Sequence, residues 1–174
     1  MANYQAAFDY LMRWEDIESN GQPTGAETTD AGGRTRLGIA EVYHPEFTAS
    51  GFYDTMPLPQ ALVLAETYYR GGEWAQDKGD SLLSQTLANK LFSLGVNLGM
   101  RRVVRWAQAD LGLDTDGIVG PVTLTQLNAA PLEAFSAITV AAVAHYQERA
   151  MDEAQAGRDY PLVGLVRRAQ DSGV

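Results

Sequence analysis

The sequence predicts a mainly α protein, and three observations carry that expectation. Apolar residues recur at three- and four-residue spacing through several long stretches. Few stretches show the two-residue alternation of a half-buried strand. Prolines and glycines fall where helices would start and stop, with Pro121, Pro131 and Pro161 near starts and Gly95, Gly112 and Gly157 as stops. Roughly six to eight helices follow, with no internal repeat or low-complexity tract.

In chain order, Tyr4, Phe8, Leu11 and Met12 place an amphipathic helix over about residues 4–15. From Asp16 to Gly33 the period breaks into Ser19-Asn20-Gly21, Pro23-Thr24-Gly25 and Thr28-Thr29-Asp30, a long polar loop with room for a short hairpin. A short helix is expected over Gly38-Ile39-Ala40-Glu41-Val42-Tyr43, closed by Pro45. Pro57-Leu58-Pro59 opens the next helix, which Gly71-Gly72 stops. Further helices are expected at about 80–94, 98–111, 121–128, 132–156 and 160–170.

A length of 174 residues suits one domain, or one domain with a closely packed second lobe. The apolar fraction of 45% is ordinary for a globular chain. With no cysteine, disulfides, thiol chemistry and cysteine metal sites are excluded. Net charge is −9, which disfavours nonspecific nucleic-acid binding and rest on an anionic membrane. The first ten residues, from Met1 to Tyr10, have neither a basic n-region nor a long apolar h-region. No run approaches the roughly 18 apolar residues of a membrane helix. The expectation is a soluble protein, not exported by the ordinary route.

The residues that carry chemistry cluster early. Glu15 follows Trp14 on the last turn of the first helix, where an aromatic neighbour and a cleft can desolvate the carboxyl and keep it protonated. A solvated surface glutamate is the plain alternative. Asp30-Ala31-Gly32-Gly33-Arg34-Thr35 reads either as a simple turn or as a wall of the same cleft. In the second reading Asp30 and Thr35 position water or steady a developing positive charge, while Gly32 and Gly33 admit a close backbone approach. Such an acid, with groups opposite to handle water or a sugar cation, is what cleavage of a glycosidic bond requires.

Other motifs fit bland roles. Asp114-Thr115-Asp116-Gly117 lacks the EF-hand frame and reads as a turn before the helix at Pro121. His44 and His145 lie far apart and no zinc motif occurs, so no metal site is expected. His145 with Glu148 reads as a surface pair. Trp74, Trp106 and Tyr69 either stack on sugars or pack in the core. Asn97 either bonds an acetamido group in the cleft or caps the helix beginning at Leu98.

The ordered series Phe8, Glu15, Asp30, Gly32, Gly33, Thr35, Gly38 and Ile39 resembles the N-acetylmuramidases of glycoside hydrolase family 108, bacteriophage endolysins and their bacterial relatives. Tyr68-Tyr69-Arg70-Gly71-Gly72-Glu73-Trp74 is similar to the family's Tyr-x-x-x-Tyr-Trp region, and Phe92 to Gly99 to its Phe-Asp-x-x-Val-Asn-x-Gly segment. Val104 to Thr123, ending in Asp116-Gly117-Ile118-Val119-Gly120-Pro121-Val122-Thr123, resembles the family's peptidoglycan-binding part. The resemblance spans nearly the whole chain. It departs after Glu15, where Asp16-Ile17-Glu18 stands in place of Gly-Gly-Tyr and the following loop is longer. Glu18 and, more remotely, Glu27 are therefore alternative acids.

The resemblance implies a lysozyme-like, two-lobed helical domain, with a catalytic lobe at about 1–90 and a peptidoglycan-binding lobe at about 91–174. It implies hydrolysis of the β-1,4 bond between N-acetylmuramic acid and N-acetylglucosamine, with Glu15 as proton donor and Asp30 and Thr35 assisting. Gly32, Gly33, Trp74 and Asn97 would contact substrate. No cofactor is needed, the partner is the glycan strand, and a monomer is expected. An enzyme of this kind gathers in the host cytoplasm and reaches the periplasm after holin release. Two other readings fit the same residues: a lytic transglycosylase, and a non-catalytic peptidoglycan-binding or secretion-accessory protein.

Overall fold

A computed structural model describes residues 1–16, 24–30 and 33–173. The chain is mainly α, with eight α-helices and one small antiparallel sheet among the described residues. None of these helices is long and apolar enough to cross a membrane. The described residues form two compact units, Phe8–Gly72 and Met1–Ala7 with Glu73–Val174.

Helix α1 (Tyr4–Glu15) begins on Asn3, whose Oδ1 accepts the Ala6 N–H at 3.0 Å. In the Phe8–Gly72 unit its Phe8, Leu11 and Met12 are buried, as their spacing requires. Strands β1 (Thr28–Asp30), β2 (Gly33–Arg36) and β3 (Ile39–Ala40) pair antiparallel in that order. A 3-10 turn (Pro45–Ser50) and helix α2 (Leu58–Gly71) complete the unit.

The short helix expected from Gly38 to Tyr43 does not form. Leu37 (φ 50°) and Gly38 (φ 77°) both adopt left-handed backbone, the geometry of a tight hairpin turn, so Ile39 and Ala40 fold back onto β2. Val42 and Tyr43, which completed the apparent helical period, are 61% and 78% exposed. Alternation along β2 sends its two arginines to one face. Arg36 is buried, donating to the carbonyls of Gly25 at 2.7 Å and Met56 at 2.9 Å, and to that of Phe52. Arg34 pairs in bidentate fashion with Glu41 at 2.7 Å and also reaches Asp54 and Glu27.

The other unit holds α3 (Glu73–Gln76), α4 (Gln85–Leu98), α5 (Met100–Asp110), α6 (Pro121–Ala129), α7 (Ser136–Gln155) and α8 (Leu162–Gln170). Helix α4 runs through Gly95, expected to stop it, and ends at Gly99. The reason is packing: a Cβ at Gly95 would lie 2.3 Å from the Met100 methyl, so the glycine admits a neighbour within the helix. Leu87, Leu91, Phe92 and Leu94 of α4 sit in the core with Val103, Val104, Ile138 and Tyr146. Buried polar contacts tie α8 and the tail to α4. Arg168 donates to Ser93 Oγ at 3.0 Å and to its carbonyl at 2.6 Å, and Asn89 donates to the Gly173 carbonyl at 2.8 Å.

Candidate active site

Glu15 ends α1, and its side chain lies against the turn joining β2 to β3. A Cβ at Gly38 would stand 2.9 Å from Glu15 Cγ, 3.0 Å from its Oε2 and 2.6 Å from the Tyr69 hydroxyl. Tyr69, on α2, is buried and donates through that hydroxyl to the Leu37 carbonyl at 3.0 Å. Its ring lies 6.3 Å from that of Phe8, two turns before Glu15 on α1. The helix end, the turn and α2 therefore converge on one carboxylate. Leu37 is a non-glycine residue at positive φ, a conformation maintained only where packing over-determines it. Glu15 and the adjoining Trp14 are both half-buried, and Trp14 Nε1 is a buried donor without a hydrogen-bond partner among the described residues.

Thr35 lies in β2, three residues before Gly38, and is half-buried. Its register partners are Thr28 on β1 and Ala40 on β3. Asp30 ends β1 opposite Gly33, so its backbone sits two positions from the Thr28–Thr35 pair. Phe8, Glu15, Asp30, Gly33, Thr35, Gly38 and Ile39 are thus all carried by the Phe8–Gly72 unit. Gly32 and Glu18 lie outside the described residues. Glu27 is exposed and spends its carboxylate on Arg34 at 3.4 Å.

Asp16, the residue after Glu15, has a local task. Its carboxylate accepts from the Thr24 hydroxyl and from the Gly25 N–H, closing the segment between α1 and β1.

Two expected substrate contacts take other positions. Trp74 is 1% exposed, with Tyr4 and Phe92 ring centres at 5.4 and 5.6 Å and the Gly79 backbone on its indole. Its Nε1 donates to Asp80 at 3.0 Å, so the ring is core and offers no face for stacking. Asn97 is exposed, but it lies within α4 and does not cap a helix at Leu98; its Oδ1 accepts from the Tyr146 hydroxyl at 2.7 Å. His145, read as a partner of Glu148, meets the Arg102 guanidinium at 3.1 Å. Partial burial and that neighbouring charge hold its pKa below the usual imidazole range.

The motif from Asp116 to Thr123 has a structural explanation. Gln108, buried on α5, donates to Asp116 Oδ1 at 2.7 Å, the Ile118 carbonyl at 3.1 Å and Thr123 Oγ1 at 3.2 Å, and accepts the Gly117 N–H at 2.8 Å. Asp116 also caps the turn through the Ile118 N–H at 2.8 Å, and these donors hold its pKa below the usual carboxylate range. Gly117 has φ 76° with the Arg101 carbonyl 2.7 Å from where a Cβ would be. Asp116, Gly117 and Thr123 thus serve the turn into α6, whose first residue is Pro121, as the sequence suggested.

No protein-family model matches the chain, and no curated protein matches it in sequence. Among solved structures, the fold is similar to that of Brucella abortus SagA, with a TM-score of 0.65 at 17% identity. The match covers 98% of this chain and 95% of that one, so the likeness is one of whole fold.

Proposed function

We propose that the chain is an N-acetylmuramidase that hydrolyses the β-1,4 bond between N-acetylmuramic acid and N-acetylglucosamine in peptidoglycan. Glu15 is the general acid, and Asp30 and Thr35 assist from the sheet. The observation that carries the reading is the seating of Glu15 against the Leu37–Gly38 turn, in the same unit as the other described residues of the muramidase-like series. The fold shared with Brucella abortus SagA supports a whole-chain architecture, not an activity.

Chemically, the glycosidic oxygen leaves only if it is protonated as the bond breaks, and a fixed carboxylic acid supplies that proton. A hydroxyl and a second carboxylate then orient water or offset the charge of the sugar cation. None of these roles calls for a cofactor. The acting place in this reading is the periplasm, reached from the host cytoplasm.

The test is release of fragments from permeabilised Gram-negative cells, followed by mass spectrometry, for wild type and Glu15→Gln. Reducing N-acetylmuramic acid ends, reduced roughly 100-fold or more in the variant, are the expected result. Undiminished cleavage by the variant would transfer the role to Glu18. Anhydro ends would mean a transglycosylase. A second reading, a non-catalytic peptidoglycan-binding protein, is favoured by the loop-closing Asp16 in place of a family glycine; binding without any cleavage would establish it.

A further inference from the structure

Acids outnumber bases in this chain, 22 to 13, yet Arg101, Arg102 and Arg105 crowd the first turns of α5. Two adjoining hollows open there, of about 370 and 410 Å³, sharing Gln76, Met100 and Arg101. The first is also lined by Lys78 and the turn Gly117-Ile118-Val119, the second by Arg102 and Arg105. No carboxylate is among the described residues lining either one.

All four cations are exposed, and none ion-pairs with a carboxylate among the described residues. Arg101 reaches only the Asp116 carbonyl at 3.5 Å, and Arg102 the neutral-leaning His145 at 3.1 Å. Each guanidinium offers five N–H donors, so most remain for a ligand. Asp116, whose charge Arg101 helps to hold, already spends Oδ1 on Gln108 and the Ile118 N–H. Ile118 stands 56% exposed at the rim, an apolar surface beside the charges.

We infer that these hollows bind the free carboxylates of peptidoglycan stem peptides, a reading that rests on the peptidoglycan function proposed above. Guanidinium forks match carboxylates in bidentate geometry. A chain of net charge −9 is otherwise repelled by an anionic polymer, and a local cluster of unpaired cations offsets that repulsion where contact is made. The exposed Ile118 suits the small apolar side chains of a short peptide. The turn that carries it belongs to the cell-wall-like motif, which gives that motif a role in contact as well as in folding.

The experiment measures binding of the full chain, in a Glu15→Gln background, to purified sacculi stripped of phosphate polymers. The combined Arg101→Gln, Arg102→Gln, Arg105→Gln variant should bind on the order of tenfold more weakly, with an unchanged thermal midpoint. Replacing the same three residues by Lys keeps the charge and loses the fork, so binding should fall between that of the Gln variant and that of the unsubstituted protein. Amidating the sacculus carboxylates should weaken wild-type binding about as much as the Gln variant does. Equal binding of the Gln variant and the unsubstituted protein, indifference to amidation, or a Lys variant as weak as the Gln variant would each overturn the assignment alone. Absence of any sacculus binding would overturn it together with the peptidoglycan reading.

Discussion

A single methyl group at position 38 would meet the Tyr69 hydroxyl at 2.6 Å and Glu15 Oε2 at 3.0 Å, on a backbone held at φ 77°. Gly38→Ala therefore combines a strained backbone with displacement of the acid. We expect a loss of stability of about 1–3 kcal/mol. The proposed muramidase activity should fall further than stability accounts for, with kcat reduced more than KM rises, measured on the folded fraction. Tyr69→Phe should cost about 1–2 kcal/mol, because it leaves the buried Leu37 carbonyl without its donor. Glu15 and Gly38 stand out in the sequence by type and spacing. Tyr69 stands out only as an aromatic that stacks or packs; its link to the turn spans 32 positions and exists only once α2 has packed. Trp74 illustrates the converse: an aromatic next to a motif has the same letter whether its faces are open or, as here, covered.

Elements differ in how much of them local sequence controls. The turn into α6 is nearly all local, and its glycine, proline, Asp and Thr are readable as a motif. What holds it is Gln108 on the preceding helix, whose amide reaches four partners. Gln108→Ala should lower stability by about 2–3 kcal/mol by thermal or denaturant unfolding, since it strands buried donors and acceptors. Gln108→Glu should fare little better, as it places a second carboxylate beside Asp116. The β2–β3 hairpin is harder to read, because its turn contains Leu37 where glycine or asparagine is usual at positive φ. Helix α4 continues past Gly95 for a similar reason: the glycine serves a neighbour from another helix, and local propensity gives way to packing.

Across the whole molecule, pH dependence of stability concentrates on a group the sequence does not mark. Asp77 is 0% exposed, and neither carboxyl oxygen has a hydrogen-bond partner among the described residues. Burial pushes its pKa up to about 8, and the charges of Asp80 and Glu73 add to the shift. The unfolded group titrates near 3.9, so the folded state binds more protons between about pH 4 and 8. This contribution is fully present below pH 4 and is lost progressively as pH rises toward 8. Unfolding measured across that range should show stability declining by a few kcal/mol for the wild type. Asp77→Asn should flatten the decline and exceed the wild type above pH 8; an unaltered slope would place the titration elsewhere.

The sequence by itself determined the helical class, the helix starts at prolines, the polar segment after α1 and the series of residues from Phe8 to Ile39 that singles out Glu15. These are local quantities: period, φ preference and residue type are written in neighbouring letters. Only the tertiary structure decided that Glu15 rests on the Leu37–Gly38 turn, that Trp74 is core, that Asp16 closes a loop and that four cations face hollows without a carboxylate. Each of those facts depends on which surfaces are removed from water and which donors meet which acceptors across tens of residues. Burial and pairing of that kind are decided when the elements pack, and no run of adjacent residues contains them.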